Sequence, residues 1–501
     1  MAGHGHIEPD PKSLGTARPE VHETATSVIV LLGDRAYKLK KPVALPYLDW
    51  RTREAREAAC RQEVALNRRL APDVYLGVAA VVGPDGQACD HLVVMRRMPA
   101  ERSLARLVAA GADLGAALDE IASSLAAFHA RARRSPAISA AAGRDGVRQN
   151  WEDNLAALRD LGASFLDVVA IDRVDELSHR YLAGRARLFA ERNSAGLSVD
   201  GHGDLLAGDV YLLDDGPRLL DCLDFDDRLR AVDVLDDAAF LAMDLERMGA
   251  PDLAERFLAA YRQHSGTHFP RSLAHHYIAY RAGVRAKVAC IRADQGAREA
   301  AEEEAAALLD LARRHLEAGA IRLLLVGGLP GTGKSTLARR LAARSGAALV
   351  CSDVVRKEIA GLDPSAAMPA AYAEGIYAPD WTAATYRELL ARGQGLLERG
   401  ESVILDASFT APEHRAQAAA TAAATSADLV VLRCDAPPEV AAARIARRAP
   451  GPSDATAAIA ARMAAGRQPW NGAVAIDTSG DPGAAERAAA AVLGIEEGAP
   501  G

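Results

Sequence analysis

Apolar residues along this chain follow two regimes. Over the first hundred residues they form short β-branched runs at 26–32, 35–40, 74–82 and 91–95, broken by the turn residues Gly33-Asp34 and Gly83-Pro84-Asp85-Gly86. Such runs predict antiparallel hairpins. Alternation along 35–40 puts Lys38 and Lys40 on one strand face and Tyr37 and Leu39 on the other. Residues 50–70 repeat their apolar positions at helical spacing and carry Glu63. From 104 to 320 the pattern is mostly helical, interrupted near 199–227 by a strand pair turning at Asp214-Asp215-Gly216-Pro217. From Ile321 onward, short apolar strands at 323–326, 348–351, 403–405, 429–432 and 474–476 alternate with helices, the pattern of a parallel sheet. The expected layout is a tail (1–20), a small sheet lobe (21–99), a helical lobe (100–318) and an α/β part (319–501). Residues 302–316 are too apolar for a loose linker, so the two halves are expected to pack on each other.

At 501 residues, more than one domain is expected. The net charge of −8 disfavours a broad nucleic-acid footprint. The six cysteines, Cys60, Cys89, Cys222, Cys290, Cys351 and Cys434, lack metal-ligand spacing and read as reduced thiols. No apolar run reaches the ~20 residues of a membrane helix. The start, MAGHGHIEPDPKS, lacks a signal-peptide core, and its His4 and His6 belong to a Gly/Pro-rich tail. A cytoplasmic location is expected.

The sharpest chemical signal is Gly328-Leu329-Pro330-Gly331-Thr332-Gly333-Lys334-Ser335, set between an apolar strand and a helical segment. This is the spacing and context of a Walker A phosphate loop. Its glycines let backbone N–H groups turn inward around phosphate oxygens, and the helix N-terminus adds partial positive charge there. Nucleotide contacts are expected from Gly328, Pro330, Gly331, Thr332, Gly333, Lys334, Ser335 and Thr336. Lys334 would reach the β- and γ-phosphates and Ser335 would hold Mg²⁺. Asp353, just beyond the second strand, reads as a proton acceptor for a hydroxyl substrate or as a helix N-cap. Arg356, nearby, would clamp an anionic acceptor. Asp406 ends the third strand, where a carboxylate would reach Mg²⁺. Arg444, Arg447 and Arg448 precede Pro450-Gly451-Pro452 and read as a catalytic lid or as a basic helix end.

In the first half, kinase-type folds pair a strand lysine with a glutamate of the next helix. Lys38 and Glu63 fit that order, with Lys40 as the alternative partner. The segment 95–99 would be the hinge that meets adenine. His202-Gly203-Asp204 and Asp224-Phe225 resemble the catalytic loop and metal step of the aminoglycoside phosphotransferase-like kinases. That resemblance implies Asp204 as the catalytic residue facing the acceptor hydroxyl, and Asp209 and Asp224 as Mg²⁺ ligands, with Asp221 a neighbouring candidate. The family usually has Asn where this chain has Asp209. His129, on the apolar side of its helix, reads as a core residue. Arg281 and Arg285, one helical turn apart, read as a salt-bridged face or as an anion-binding stripe.

The C-terminal part resembles the P-loop kinases grouped with gluconate, shikimate and polynucleotide 5′-hydroxyl kinases. The whole chain resembles bacterial proteins that join an aminoglycoside phosphotransferase-like domain to a P-loop kinase domain. The resemblance implies a phosphotransferase using ATP, or GTP, with Mg²⁺ and a small hydroxylated acceptor at two sites. Three alternatives stand beside it: one half as a regulatory nucleotide sensor, the P-loop half as a polynucleotide 5′-hydroxyl kinase, or an ATP-switched interaction protein.

Overall fold

The computed structural model describes residues 18–24, 26–45, 48–294, 298–364, 373–448, 453–466 and 468–494. The tail up to residue 17, with His4 and His6, and the Pro450-Gly451-Pro452 segment lie outside the described residues. The chain divides into two compact units: residues 1–174, 191–269 and 277–315 form one, and 175–190, 270–276 and 316–501 the other.

The first unit opens on a five-stranded antiparallel sheet. Its strands lie in the order Glu20–Glu23, Ser27–Leu32, Arg35–Lys40, Ala88–Arg96, Tyr75–Val82. The edge strand Glu20–Glu23 is exposed throughout, so it carries no hydrophobic signature by which periodicity would find it. Helix Arg53–Asn67 is capped by the Thr52 side chain, which accepts from Ala55 N, and it buries Cys60, Glu63 and Val64. Cys60 and Val64 pack with Val74, Tyr75, Val93 and Leu220, joining helix, sheet and the segment after the second hairpin in one core. That hairpin pairs Val210–Leu213 with Gly216–Leu219 and stops short of the return strand predicted to run to Asp227. The chain leaves the extended conformation at Asp221, whose φ of 60° is left-handed. Helix Val234–Arg247 is buried from Val234 to Leu245 despite carrying Asp236, Asp237 and Asp244.

The second unit is a parallel five-stranded sheet in the order Ala348–Cys351, Val403–Asp406, Arg322–Gly327, Asp428–Asp435, Val474–Asp477. Leu324, Val326, Ile404 and Leu432 from its inner strands pack against Leu337 and Leu341 of helix Lys334–Ser345. That packing anchors the helix whose first turn closes the phosphate loop. The sheet and helices of the first unit follow in the order expected of a two-lobed protein-kinase-like fold, and the second unit is a P-loop α/β fold with a parallel sheet. No helix among the described residues is long and apolar enough to cross a membrane.

Candidate active sites

In the first unit, strand alternation puts two ammonium groups on the same side, and one carboxylate serves both. Lys38 Nζ lies 2.9 Å from Glu63 Oε1 and Lys40 Nζ 2.6 Å from Glu63 Oε2. Each lysine then reaches a different aspartate: Lys38 pairs with Asp221 Oδ1 at 2.7 Å and Lys40 with Asp224 Oδ2 at 2.7 Å. The two pairs differ in setting. Lys40 is 2% exposed and lies over the Trp50 ring, 4.5 Å from its centroid. Lys38 is more open, at 15%.

Asp221 also belongs electrostatically with Asp204 and Asp209. Burial first, then the charges of Asp221 and Asp204, hold the Asp209 carboxyl well above the usual range. The Asp221 carboxyl is pulled down, chiefly by the Lys38 ammonium. Burial raises Asp204 to about 6, partly offset by Arg285. The Asp204 side chain keeps 38% exposure and is open to solvent. Asp204, Asp209 and Asp221 therefore share one field with Lys38, whereas burial and Glu63 raise Asp224 against the pull of Lys40.

The His202-Gly203-Asp204 loop hangs on a carboxylate far along the chain. Asp237 Oδ2 accepts from His202 N at 2.7 Å and Oδ1 from Gly203 N at 2.8 Å. The ring of His129 bridges Asp237 Oδ2 at 2.9 Å and the Tyr261 hydroxyl at 2.7 Å. The core role expected for His129 is thus a positioning one. His202 is fully buried, with Nε2 2.9 Å from Leu220 O, tying the loop to the segment that delivers Asp221. Asp244 Oδ2 accepts from Ala207 N at 2.9 Å, two residues before Asp209. Arg281 donates to both oxygens of Asp236 at 2.7 and 2.8 Å, and to Gly203 O at 3.3 Å. Sequence reasoning missed Asp237 and Asp244. Their signal was carboxylates in a helix otherwise apolar enough to be buried, where a charge needs partners.

In the second unit, strand Arg322–Gly327 feeds the phosphate loop. Gly328, Gly331 and Gly333 have φ of 137°, 80° and 89°, the conformations for which glycine was expected. A Cβ on Gly331 would meet Ala441 O at 2.5 Å, so the loop is also closely packed from outside. Lys334 Nζ donates to Leu329 O at 3.0 Å, folded back across the loop. Thr478 Oγ1 donates to Thr332 O at 2.5 Å. A cavity of 1880 Å³ is lined by Lys334, Ser335, Asp353, Arg356, Asp406 and Arg444, with Pro330, Gly331, Gly333, Thr336 and Arg448 also on its wall. Gly328 and Thr332 are not on that wall; Thr332 is 4% exposed and supports the loop from behind.

Asp406 ends its strand beside Val326. Asp353 lies within the first turn of helix Ser352–Ile359, whose cap position is Cys351, so the N-cap reading of Asp353 does not hold. Its carboxyl is raised by burial, with a hydrogen bond from Ser453 and the charge of Lys334 opposing. Arg356 Nη1 donates to Ile376 O at 2.8 Å, and its buried Nε has no hydrogen-bond partner among the described residues. Arg444 Nη2 donates to Thr478 O at 2.7 Å, while its buried Nη1, beside the loop, has no hydrogen-bond partner among the described residues. Arg448 donates to Ala455 O at 2.8 Å.

Residues 323–470 match the AAA domain family. Over 461 residues the chain is 46% identical to Uncharacterized protein Rv2004c of Mycobacterium tuberculosis and to Uncharacterized protein Mb2027c of Mycobacterium bovis, covering 92% of this chain and 92% of each relative. The chain belongs to the family of these mycobacterial proteins. Among solved structures, it is similar to the GDP complex of aminoglycoside 2′-phosphotransferase-IIIa, at 16% identity and a TM-score of 0.39, covering 61% of this chain and 95% of that one. A choline/ethanolamine kinase family protein from Mesorhizobium loti gives 15%, 0.37, and the same two coverages. A sugar kinase from Janibacter sp. gives 19% and 0.28, over 35% of this chain and 95% of that one.

Proposed function

We propose that the protein transfers the γ-phosphoryl group of ATP to a hydroxyl of a small molecule, with one site in each unit. The observation that carries this reading is Lys38 Nζ bridging Glu63 Oε1 and Asp221 Oδ1 at 2.9 and 2.7 Å. A strand, the helix after it and a segment 183 residues from Lys38 converge there on the ion pair and the acidic group that phosphoryl transfer uses.

In the first unit, Lys38, oriented by Glu63, holds the α- and β-phosphates. Asp204 receives the acceptor hydroxyl, orients its oxygen toward the γ-phosphorus and takes its proton. At Asp209, burial and then the charges of Asp221 and Asp204 hold the carboxyl up, and a divalent cation there would offset those charges. Asp209 would hold Mg²⁺ in the first unit together with Asp224, as expected, or with its neighbour Asp221; each of these two is paired with a strand lysine, Asp224 with Lys40 and Asp221 with Lys38. In the second, Ser335 and Asp406 would hold it. The cation supplies neutralisation of phosphate charge. In the second unit the loop amides and Lys334 hold phosphate, Asp353 takes the acceptor proton, Arg356 meets the acceptor, and Arg444 and Arg448 approach the phosphates from the lid side.

A second reading, that the first unit senses nucleotide without turnover, is favoured by the extra negative charge of Asp209. Both are tested by one experiment. Full-length protein with Mg²⁺ and ATP is screened against hydroxylated metabolites for the mass gain of one phosphate, alongside Asp204→Ala and Lys334→Ala. Two product sets, each lost in one variant, are expected. Loss of all transfer in Lys334→Ala alone would establish the sensor reading, and nucleotide binding without any transfer would sink both.

A further inference from the structure

Helix Arg271–Asp294 brings two arginines, one turn apart, to the catalytic loop of the first unit. Their surroundings differ sharply. Arg281 is spent: its guanidinium holds both oxygens of Asp236, reaches Gly203 O and lies over the Phe240 ring, 4.7 Å from its centroid. It locks the helix to the loop. Arg285, on the next turn, then projects its Nη1 to 4.0 Å from Asp204 Oδ1, too far for a hydrogen bond. Among the described residues its buried Nε has no hydrogen-bond partner. A buried guanidinium N–H left without a partner costs free energy unless something supplies the acceptor. The place it occupies is the one an acceptor oxygen and the arriving phosphoryl group must enter, since Asp204 faces both.

We infer that Arg285 is a catalytic residue of the first unit, donating to an oxygen of the phosphoryl group during transfer, a guanidinium supplied from within the same chain. The inference rests on the phosphotransferase reading of Asp204. Chemically, the acceptor oxygen attacks the γ-phosphorus, the bond from that phosphorus to the β-bridging oxygen breaks, ADP leaves with the electron pair, and the acceptor proton passes to Asp204. The negative charge in transit lies next to Asp204, Asp209 and Asp221. Arg285 offsets it on the acceptor side, as Lys38 does on the nucleotide side.

The test uses water as acceptor, so that no substrate need be known. Full-length Lys334→Ala protein, silent in the second unit, is given Mg²⁺ and ATP, and ADP formation is followed in single turnover with and without Asp204→Asn. Arg285→Gln is expected to lower the Asp204-dependent plateau rate by about 10²–10³-fold, the scale of losing one charge-stabilising donor. Nucleotide affinity should stay within about threefold, as for a group that acts only in the transition state, and Arg285→Lys should recover part of the rate. Unchanged affinity also shows that the variant is folded. If the plateau rate holds and only the acid limb of the pH profile moves, Arg285 merely tunes Asp204 and the inference is overturned. Turnover that is absent, or indifferent to Asp204→Asn, brings down the reading of the first unit and this inference with it. Asp204-dependent turnover unaffected by Arg285→Gln brings down this inference alone.

Discussion

Lys40 Nζ lies 2.6 Å from Glu63 Oε2, and the two side chains are 2% and 1% exposed. This is an ion pair out of solvent, next to the more open pair that Lys38 makes with the same glutamate. Adjacent positions on one strand face have thus taken different tasks. Removing one member of a buried pair leaves an uncompensated charge, at a cost of about 3–5 kcal/mol. Lys40→Ala is therefore expected to destabilise the first unit on that scale in denaturant titration. Lys38→Ala leaves Glu63 paired with Lys40 and should cost less stability while abolishing Asp204-dependent turnover. If Lys40→Ala is as stable as Lys38→Ala, this division of labour is wrong.

Asp237 holds the catalytic loop by two backbone N–H groups, at His202 and Gly203. The His129 ring first, and then His202, keep its carboxyl well below the usual range despite complete burial. Asp237→Asn loses one of the two acceptor oxygens and confronts a backbone N–H with an amide donor. Hydrogen bonds to a charged group are worth about 1.5–3 kcal/mol each, so a loss near that size is expected in thermal or denaturant unfolding. Turnover should fall with little change in nucleotide affinity, because the loop that carries Asp204 is disordered while the Lys38–Glu63 pair remains. Unchanged stability would mean that backbone packing alone holds the loop.

Which parts of this were legible in the sequence follows from how local each signal is. The phosphate loop needs eight consecutive residues between a strand and a helix, and alternation along a strand puts Lys38 and Lys40 on one face without any knowledge of the fold. The Lys38–Glu63 pairing needed only the next helix. What periodicity does not carry is the closure over long separations. Asp224 reaches back to Lys40, 184 residues away, and His129 reaches Asp237 across 108. Asp221 was only a neighbour of the motif on the page; its left-handed backbone, which turns it toward Lys38, is not written in its residue type. The carboxylates of helix Val234–Arg247 stand among apolar residues, and it is their burial that makes them good partners for backbone donors.

Asp204 gives the first unit a pH dependence with a definite sign. Burial lifts its carboxyl from 3.8 to about 6, and only the ionised form accepts a proton. Turnover dependent on Asp204 should rise with unit slope up to about pH 6 and level off above it, so that one unit below the bend it is about tenfold under the plateau. Stability runs the other way. A carboxyl whose folded pKa is raised favours folding fully below 3.8, and that contribution is lost as pH climbs through about 6. Asp204→Asn should therefore raise the melting temperature at pH 8 and leave it unchanged at pH 3.5. A rate profile flat from pH 5 to 8 would remove Asp204 from the proton transfer.

Two glycines of the second unit share a left-handed backbone and differ in what surrounds them. Gly331 has φ of 80° and a Cβ there would meet Ala441 O at 2.5 Å; Gly346, ending the loop's helix, has φ of 70° with open space around it. The backbone conformation alone costs an L-residue about 1–2 kcal/mol. Gly346→Ala should lose about that much stability and keep nucleotide affinity, since it only strains a helix end. Gly331→Ala adds a collision with main chain, and main chain has no rotamer by which to yield. The loop must then open, the inward N–H groups lose their common focus, and Mg²⁺·ATP binding to an Asp204→Ala, Lys38→Ala background should fall by at least an order of magnitude, about 1.4 kcal/mol. Calorimetric titration of the two variants separates the effects. Equal nucleotide affinity in both would mean that the close approach of Ala441 is not what shapes the phosphate cradle.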